Sequence, residues 1–282
     1  YHIIMDESLF INSNHLNTDF SGMLAFDRFQ PLFRFCICIQ KRRDLNLSDY
    51  LDMLASFGVS SAHPGGMSLS KAVLAKAGID PEQPILDAGC GTGQTAAYLG
   101  QLLFPVTALD ADPVMIDKAR QRFKKEQLSI PAVRSPLEEM PFQSESFACV
   151  LTESVLSFTN IRSALQEIRR ILKPGGMLVA IEVCLKEGNA LTDEAKKEIT
   201  EFYGFTALYD EDEWVNVLRE EGFSKIDIIP VVLEDAGDPD DAVEMDLSPA
   251  ISDKDYETME KHLHYLEKYR DSLDHIIFIS HL

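Results

Sequence analysis

Basic residues are scarce in this 282-residue chain: 26 Lys and Arg stand against 46 Asp and Glu, a formal net charge of −20. That average field repels a phosphate backbone and excludes nucleic acid as the expected partner. One basic cluster, Lys41-Arg42-Arg43, reads as a solvated turn. Long apolar runs are missing too. Residues 29–39 come nearest, but Gln30, Pro31 and Arg34 interrupt them, and they fall well short of the roughly 20 residues that a membrane span needs. No membrane span is expected. Near the start of the sequence, acids and Asn stand where a secretory leader would carry bases and then an apolar stretch, so the expected location is cytoplasmic. Cysteines are few and odd in number. Cys36, Cys38, Cys90, Cys149 and Cys184 are scattered, most of them inside apolar runs, which suits reduced core thiols better than a disulfide framework. Cys36 and Cys38 supply two soft ligands where a metal site takes about four, so no metal is expected. Internal repeats and low-complexity segments are absent, which excludes a solenoid.

What is present is a core-forming composition, 45% hydrophobic and 26% charged, arranged as alternating short apolar runs and amphipathic stretches. PILDAG, VTALDA, SIPAVRS, FACVLTE, GGMLVAIEVCL, KIDIIPVVL and HIIFIS read as strands. QTAAYLGQLL, PVMIDKARQRFKKEQ, RSALQEIRRIL and EDEWVNVLREEGF read as helices, as does the stretch bearing Tyr256, Met259, Leu263, Leu266 and Tyr269. Strand-like and helical periods in alternation predict a doubly wound, mostly parallel α/β sheet covered on both faces. Asp112-Pro113 predicts an N-cap followed by Pro in the first helical position. Lys173-Pro174-Gly175-Gly176 predicts a stop to the helix bearing Leu165, Ile168 and Leu172, then a turn into a strand. Trp214 shares a helical stripe with Val217 and Leu218 and is expected in the core. His262 and His264 are expected to face solvent. Residues 51–57 and 71–77 read as helices, with Ser61-Ala62-His63-Pro64-Gly65-Gly66 between them as a lid or entry loop, or else a plain Pro-Gly turn. The expected division is an N-terminal helical extension over 1–60 and a ligand-binding domain over 61–282.

The chemistry concentrates in Ile85-Leu86-Asp87-Ala88-Gly89-Cys90-Gly91-Thr92-Gly93, a strand that runs into a glycine turn and then a helix. Such glycines let a ligand approach the backbone more closely than a Cβ permits. A dinucleotide fingerprint would place a glycine at Gln94 and would not set an acid, Asp87, beside two phosphates. The acid suits a cationic ligand instead. Asp110, at the end of the next strand, is placed to accept hydrogen bonds from ribose hydroxyls.

With these features the sequence resembles the class I S-adenosylmethionine-dependent methyltransferases, in the branch that includes ubiquinone and menaquinone methyltransferases. LDAGCGTG, ALDADPVMIDKAR, LEEMPFQSESFACV and LKPGGMLVAIE occur in the family's order and approximate spacing. The resemblance implies a seven-stranded Rossmann-like sheet with an antiparallel last strand, S-adenosylmethionine as cofactor, and transfer of its methyl group to a small-molecule acceptor. It implies that Asp87 and the backbone of Gly89, Gly91 and Gly93 hold the methionine end, that Asp110 binds the ribose, that Ala111 and Asp112 lie beside the adenine, with Asp112 also capping its helix, and that the backbone near Leu137 faces the adenine ring. Ser135-Pro136 stands where the family often has an Asp for the adenine amino group, so backbone groups are expected to serve there. Glu153, with Thr152 and Ser154, ends the fourth strand and is expected to meet the acceptor or to cap the helix that follows. Thr152 is carried as a cofactor contact, Glu153 and His63 as candidate catalytic residues, and Glu182 as a group facing either the substrate or a turn. Expected partners are the acceptor and, at most, a second copy in a homodimer. A cofactor-binding regulatory subunit and an aminopropyl transferase are the alternatives.

Overall fold

The computed structural model describes residues 48–60, 65–188, 191–230 and 244–282. Cys36, Cys38, the Lys41-Arg42-Arg43 cluster, and His63 with the lid as far as Pro64 lie outside the described residues. The strands are β1 Ile85–Ala88, β2 Val106–Asp110, β3 Ala132–Arg134, β4 Phe147–Glu153, β5 Leu172–Leu185, β6 Lys225–Ile228 and β7 Leu273–His281. The helices are α1 Asp49–Phe57, α2 Gly66–Ala77, α3 Gln94–Gln101, α4 Pro113–Lys125, α5 Ile161–Ile171, α6 Asp193–Tyr203, α7 Glu211–Glu220 and α8 Asp253–Tyr269.

The strands pair in the order β3-β2-β1-β4-β5-β7-β6. All pairs from β3 to β5 are parallel, and β7 runs antiparallel to both β5 and β6. This is the doubly wound sheet that the alternation predicts. Winding reverses between β1 and β4, and at such a switch point the loops diverge and leave a crevice at the strands' carboxyl ends. Each face carries its own core. On one, Ile85, Ala108 and Leu151 pack against Val73 of α2, Leu99 of α3 and Ile116 of α4. On the other, Leu86, Val150 and Ala180 pack against Leu165 of α5 and Trp214 of α7. Burial on both faces is why FACVLTE reads as a nearly unbroken apolar run.

Local signals set the helix ends. Asp112 Oδ1 accepts from Val114 and Met115 N–H at 2.7 and 3.1 Å, with Pro113 as the first helical residue. Leu172, expected on the helix before Lys173, is instead the first residue of β5, because α5 closes at Ile171. Cys90, Cys149 and Cys184 are free, buried thiols. Among the described residues no helix is long and apolar enough to cross a membrane.

A third cluster joins α1, α6 and α8 through Tyr50, Met53, Ile199, Tyr203 and Tyr269. Here the structure corrects the solvent-facing expectation for His262. Its ring lies 5.0 Å from that of Tyr50, its Nδ1 is 3.2 Å from the Tyr203 hydroxyl, and burial lowers its pKa to about 4. The reason is tertiary: α1 and α6 lay aromatic side chains over the face of α8 that carries it. His264 is exposed, as expected.

Trp214 is 1% exposed, and its indole N–H donates to the Val183 carbonyl at 3.0 Å. Trp214→Ala should therefore cost about 3–5 kcal/mol through cavity formation. Because the chain has one tryptophan, the check is urea denaturation followed by circular dichroism; a loss below about 1 kcal/mol would remove Trp214 from the core.

Candidate functional site

Three adjacent parallel strands carry acids at or next to their carboxyl ends. Asp87 is next to last in β1, Asp110 is last in β2 and Glu153 is last in β4. The register pairs Asp87 with Ala108 and with Leu151. Asp110 and Glu153 stand two residues beyond those partners, and side chains repeat every second residue in a strand, so all three carboxylates project from one face. That is the face covered by α2, α3 and α4.

The protein compensates the three acids unequally. Asp110 Oδ2 accepts from Gly91 N–H at 2.9 Å and Oδ1 from Asp112 N–H at 2.8 Å. Burial raises its pKa from 3.8 to about 6 even so, with the backbone N–H groups of Asp112, Gly91 and Ala111 pulling the other way. Glu153 Oε2 accepts from the Thr95 hydroxyl at 2.7 Å. Asp87 is 2% exposed, and its Oδ2 is buried with no hydrogen-bond partner. Its pKa is pushed far up by burial first and then by the charges of Glu153 and Asp110. A buried carboxylate oxygen without a donor costs free energy that a cationic donor would return.

The glycine turn forms one wall of the site, and its glycines serve different needs. All three have positive φ: 84° at Gly89, 53° at Gly91 and 78° at Gly93. A Cβ on Gly89 would lie 2.3 Å from Val155 Cγ2, and one on Gly93 would lie 2.8 Å from the Phe123 ring. Protein packing therefore already requires those two. Only at Gly91 of the three would a Cβ meet nothing within 4 Å, so there the backbone faces open space that a ligand can occupy. Close ligand approach, the reason expected for all three, applies at Gly91.

The remaining predicted residues separate. Ala111 is half-buried beside Asp110 and Asp112. Thr152 is fully buried, and alternation turns its side chain to the face opposite Glu153, which leaves it outside the acidic cluster. Leu137 sits in a short 3₁₀ turn with its side chain in the α5-side core, so only its backbone is left to meet a ligand. Ser135 gives its hydroxyl to the Glu139 carbonyl at 2.7 Å. His63 is outside the described residues. Cap duty after β4 belongs to Glu182 and not to Glu153. The Glu182 carboxylate, fully buried, accepts from Val155 and Leu156 N–H at 3.2 and 3.0 Å and from Ser157 N–H at 3.4 Å. Burial raises its pKa to about 7 against those donors. Ser154, at the junction, takes φ 55°, a left-handed conformation uncommon for a side-chain-bearing residue and one that clusters at functional sites. Sequence reasoning missed Thr95, whose signal was a hydroxyl in the first turn of the helix that leaves the glycine turn. Among the described residues no group of His, Cys, Asp and Glu gathers to hold a metal ion.

Residues 86–180 match a family described as methyltransferase domain. The uncharacterized methyltransferase YodH of Bacillus subtilis is 52% identical over 235 residues, 83% of this chain and 100% of its own length. Among solved structures, phosphoethanolamine N-methyltransferase 2 of Haemonchus contortus, in complex with phosphomonomethylethanolamine and S-adenosylhomocysteine, matches with a TM-score of 0.64 at 19% identity. That match covers 83% of this chain and 56% of that one. The [4+2]-cyclase SpnF matches with a TM-score of 0.59 at 19% identity, over 83% of this chain and 92% of its own. At these identities the two structures speak for the fold.

The acidic cluster carries a pH signature. Asp87 has a folded pKa far above its ordinary 3.8. Its favourable contribution is thus fully present below about pH 4 and is lost as pH rises through the folded value. From pH 5 to pH 8 the unliganded protein should lose stability relative to Asp87→Asn. Denaturant titrations of both proteins at the two pH values give that difference, from which the opposing contribution of His262 cancels. A pH-independent difference would show that Asp87 ionises freely.

Proposed function

The chain belongs to the class I methyltransferase family, and on that premise we propose that it moves a methyl group from S-adenosylmethionine to a small-molecule acceptor by in-line displacement. The observation that carries this reading is the unpartnered Asp87 Oδ2 buried beside a glycine turn that opens at Gly91. An ammonium group answers both the missing donor and the excess negative charge. The cofactor supplies an activated methyl on a sulfonium, a leaving group good enough that no covalent nucleophile is needed. Asp87 and the turn backbone at Gly89, Gly91 and Gly93 hold the methionine end. Asp110 uses one lone pair of each oxygen on Gly91 and Asp112, and the second on each is available to a ribose hydroxyl. The backbone at Ala111 and Leu137 borders the adenine.

Glu153 positions the acceptor. Its carboxylate is held by Thr95, so it offers a fixed acceptor for an amine or hydroxyl hydrogen at the carboxyl edge of the sheet. Stabilising the sulfonium would instead favour the ground state and slow the reaction. Alignment and exclusion of water then lower the barrier. The net charge of −20 favours a neutral or cationic small molecule over a nucleic acid as acceptor. Neither a regulatory subunit nor aminopropyl transfer has an observation in its favour.

Calorimetric titration with S-adenosylhomocysteine tests the cofactor reading, and absence of binding to the wild type would overturn it. Asp110→Ala should weaken binding by about 10- to 100-fold, the equivalent of about 1.5–3 kcal/mol for hydrogen bonds to a charged group. Equal affinity in the folded variant would reject the ribose role. Glu153→Gln, assayed on whichever phenol, amine, thiol or carbon acid the enzyme accepts, should lose about tenfold or more in rate, with cofactor affinity and melting temperature little changed. An unaltered rate would reject Glu153 as an acceptor-positioning group.

A further inference from the structure

Resting on that cofactor reading, we infer that Arg122 is a positioning residue that sets the shape of the glycine turn from behind. Ala119, Arg122 and Phe123 stand at three- and four-residue spacing on α4 and form the face that meets the turn. Ala119 and Phe123 fill the space where Gly93 would carry a Cβ, at 2.9 and 2.8 Å. Between them Arg122, with only 14% of its side chain exposed, uses its guanidinium on several separate acceptors. Nε donates to the Thr92 carbonyl at 3.0 Å, and Nη2 donates to Ser60 Oγ at 3.3 Å and to Glu244 Oε2 at 2.8 Å. Nη1 lies 3.6 Å from Glu126 Oε1. Ser60 Oγ in turn shares a hydrogen bond with Thr92 Oγ1 at 2.6 Å.

The turn is thereby pinned from two sides. Gly93 N–H donates to the Cys90 carbonyl at 2.8 Å and closes it. Toward the site, Gly91 N–H is fixed by Asp110; away from it, the Thr92 carbonyl is fixed by Arg122. A peptide group rotates as a unit, so holding the Thr92 carbonyl outward also fixes the amide between Thr92 and Gly93. The open backbone at Gly91, where the ligand is to lie, keeps its shape only while both pins hold. Without the guanidinium, the Thr92 carbonyl would lose its donor in a residue 3% exposed and the turn would rearrange to recover one. A lysine does not substitute, because its three N–H donors radiate from one nitrogen, whereas Arg122 reaches the carbonyl from Nε and the hydroxyl and carboxylate from Nη2, nitrogens held apart in a rigid plane.

The experiment compares wild type, Arg122→Gln, Arg122→Lys and Glu244→Gln. In the absence of any ligand, hydrogen exchange at the Gly91 and Gly93 amides should be faster in both Arg122 variants than in wild type. S-adenosylhomocysteine should bind both variants at least about tenfold more weakly, the loss expected for a hydrogen bond to a charged group. The KM for S-adenosylmethionine should rise in parallel, with kcat at saturation within about twofold of wild type. Glu244→Gln, which removes the charge of the half-exposed partner and leaves the contact with Thr92, should match wild type within about twofold. Lower melting temperatures with unchanged affinity and unchanged exchange would overturn the inference and leave Arg122 a structural residue. Failure of the wild type to bind would overturn the cofactor reading instead, while the exchange measurement still decides whether Arg122 shapes the turn. If Arg122→Gln does not fold, Arg122→Lys retains the charge and decides the question by the same readouts.

Discussion

Burying the carboxylates of Asp87 and Asp110 beside Glu153 at the carboxyl edge of three neighbouring strands, with the charges of the other two acids adding to the burial of Asp87, is a cost that the surrounding structure must offset. Each acid is placed by strand parity, so none can turn away without moving its strand. Asp110 is offset by two backbone N–H groups and Glu153 by the Thr95 hydroxyl. The Oδ2 of Asp87 receives nothing from the protein. The fold therefore holds a local deficit of positive charge, and the two extended cores on either side of the sheet stabilise the arrangement that contains it. This is preorganisation in the ordinary physical sense: the cost is met during folding and recovered when a cation arrives.

Glu182 has a complementary part. It comes from β5, lies on the opposite face, and gathers the N–H groups of Val155, Leu156 and Ser157. By binding them it fixes where the chain goes immediately after Glu153. The short 3₁₀ turn so formed carries Phe158, which packs on Tyr50 and Phe205. Thr206 N–H donates to the Ser157 carbonyl at 2.8 Å. The aromatic cluster of α1, α6 and α8 is thus anchored one turn away from the strand end that bears Glu153. Glu198 closes the far side of the cluster, accepting from Tyr265, Tyr269 and Lys268.

The doubly wound sheet was legible in the sequence because buried parallel strands and amphipathic helices have distinct periods, and because Asp112-Pro113 states its own chemistry. The acids were legible because they end strands. α6 was not: of its eleven residues only Ile199 and Tyr203 are buried, too few to set a period. The surroundings of His262 were illegible for a related reason, since its neighbours come from helices far apart in sequence. Glu182 and Arg122 act through backbone groups, and no residue pattern announces which carbonyl or N–H a side chain will find. Gly89 and Gly93 were read as glycines that a ligand needs, whereas Val155 and Phe123 fill the space a Cβ would take there, a packing constraint that the sequence does not display.

The reversed direction of β7 has a bearing on how such a protein diversifies. Because β7 runs against its neighbours, its first residue, Leu273, pairs with Leu185 at the carboxyl end of β5, so the helix inserted before it, α8, is delivered to the same rim as the acids. α6, inserted after β5, packs with α8 in one aromatic cluster. Inserted segments at these two junctions can change length and composition while β1, β2 and β4, which carry Asp87, Asp110 and Glu153, stay untouched. Variation in the segments that border the rim and constancy of the strands that carry the acids are thereby separable along the chain.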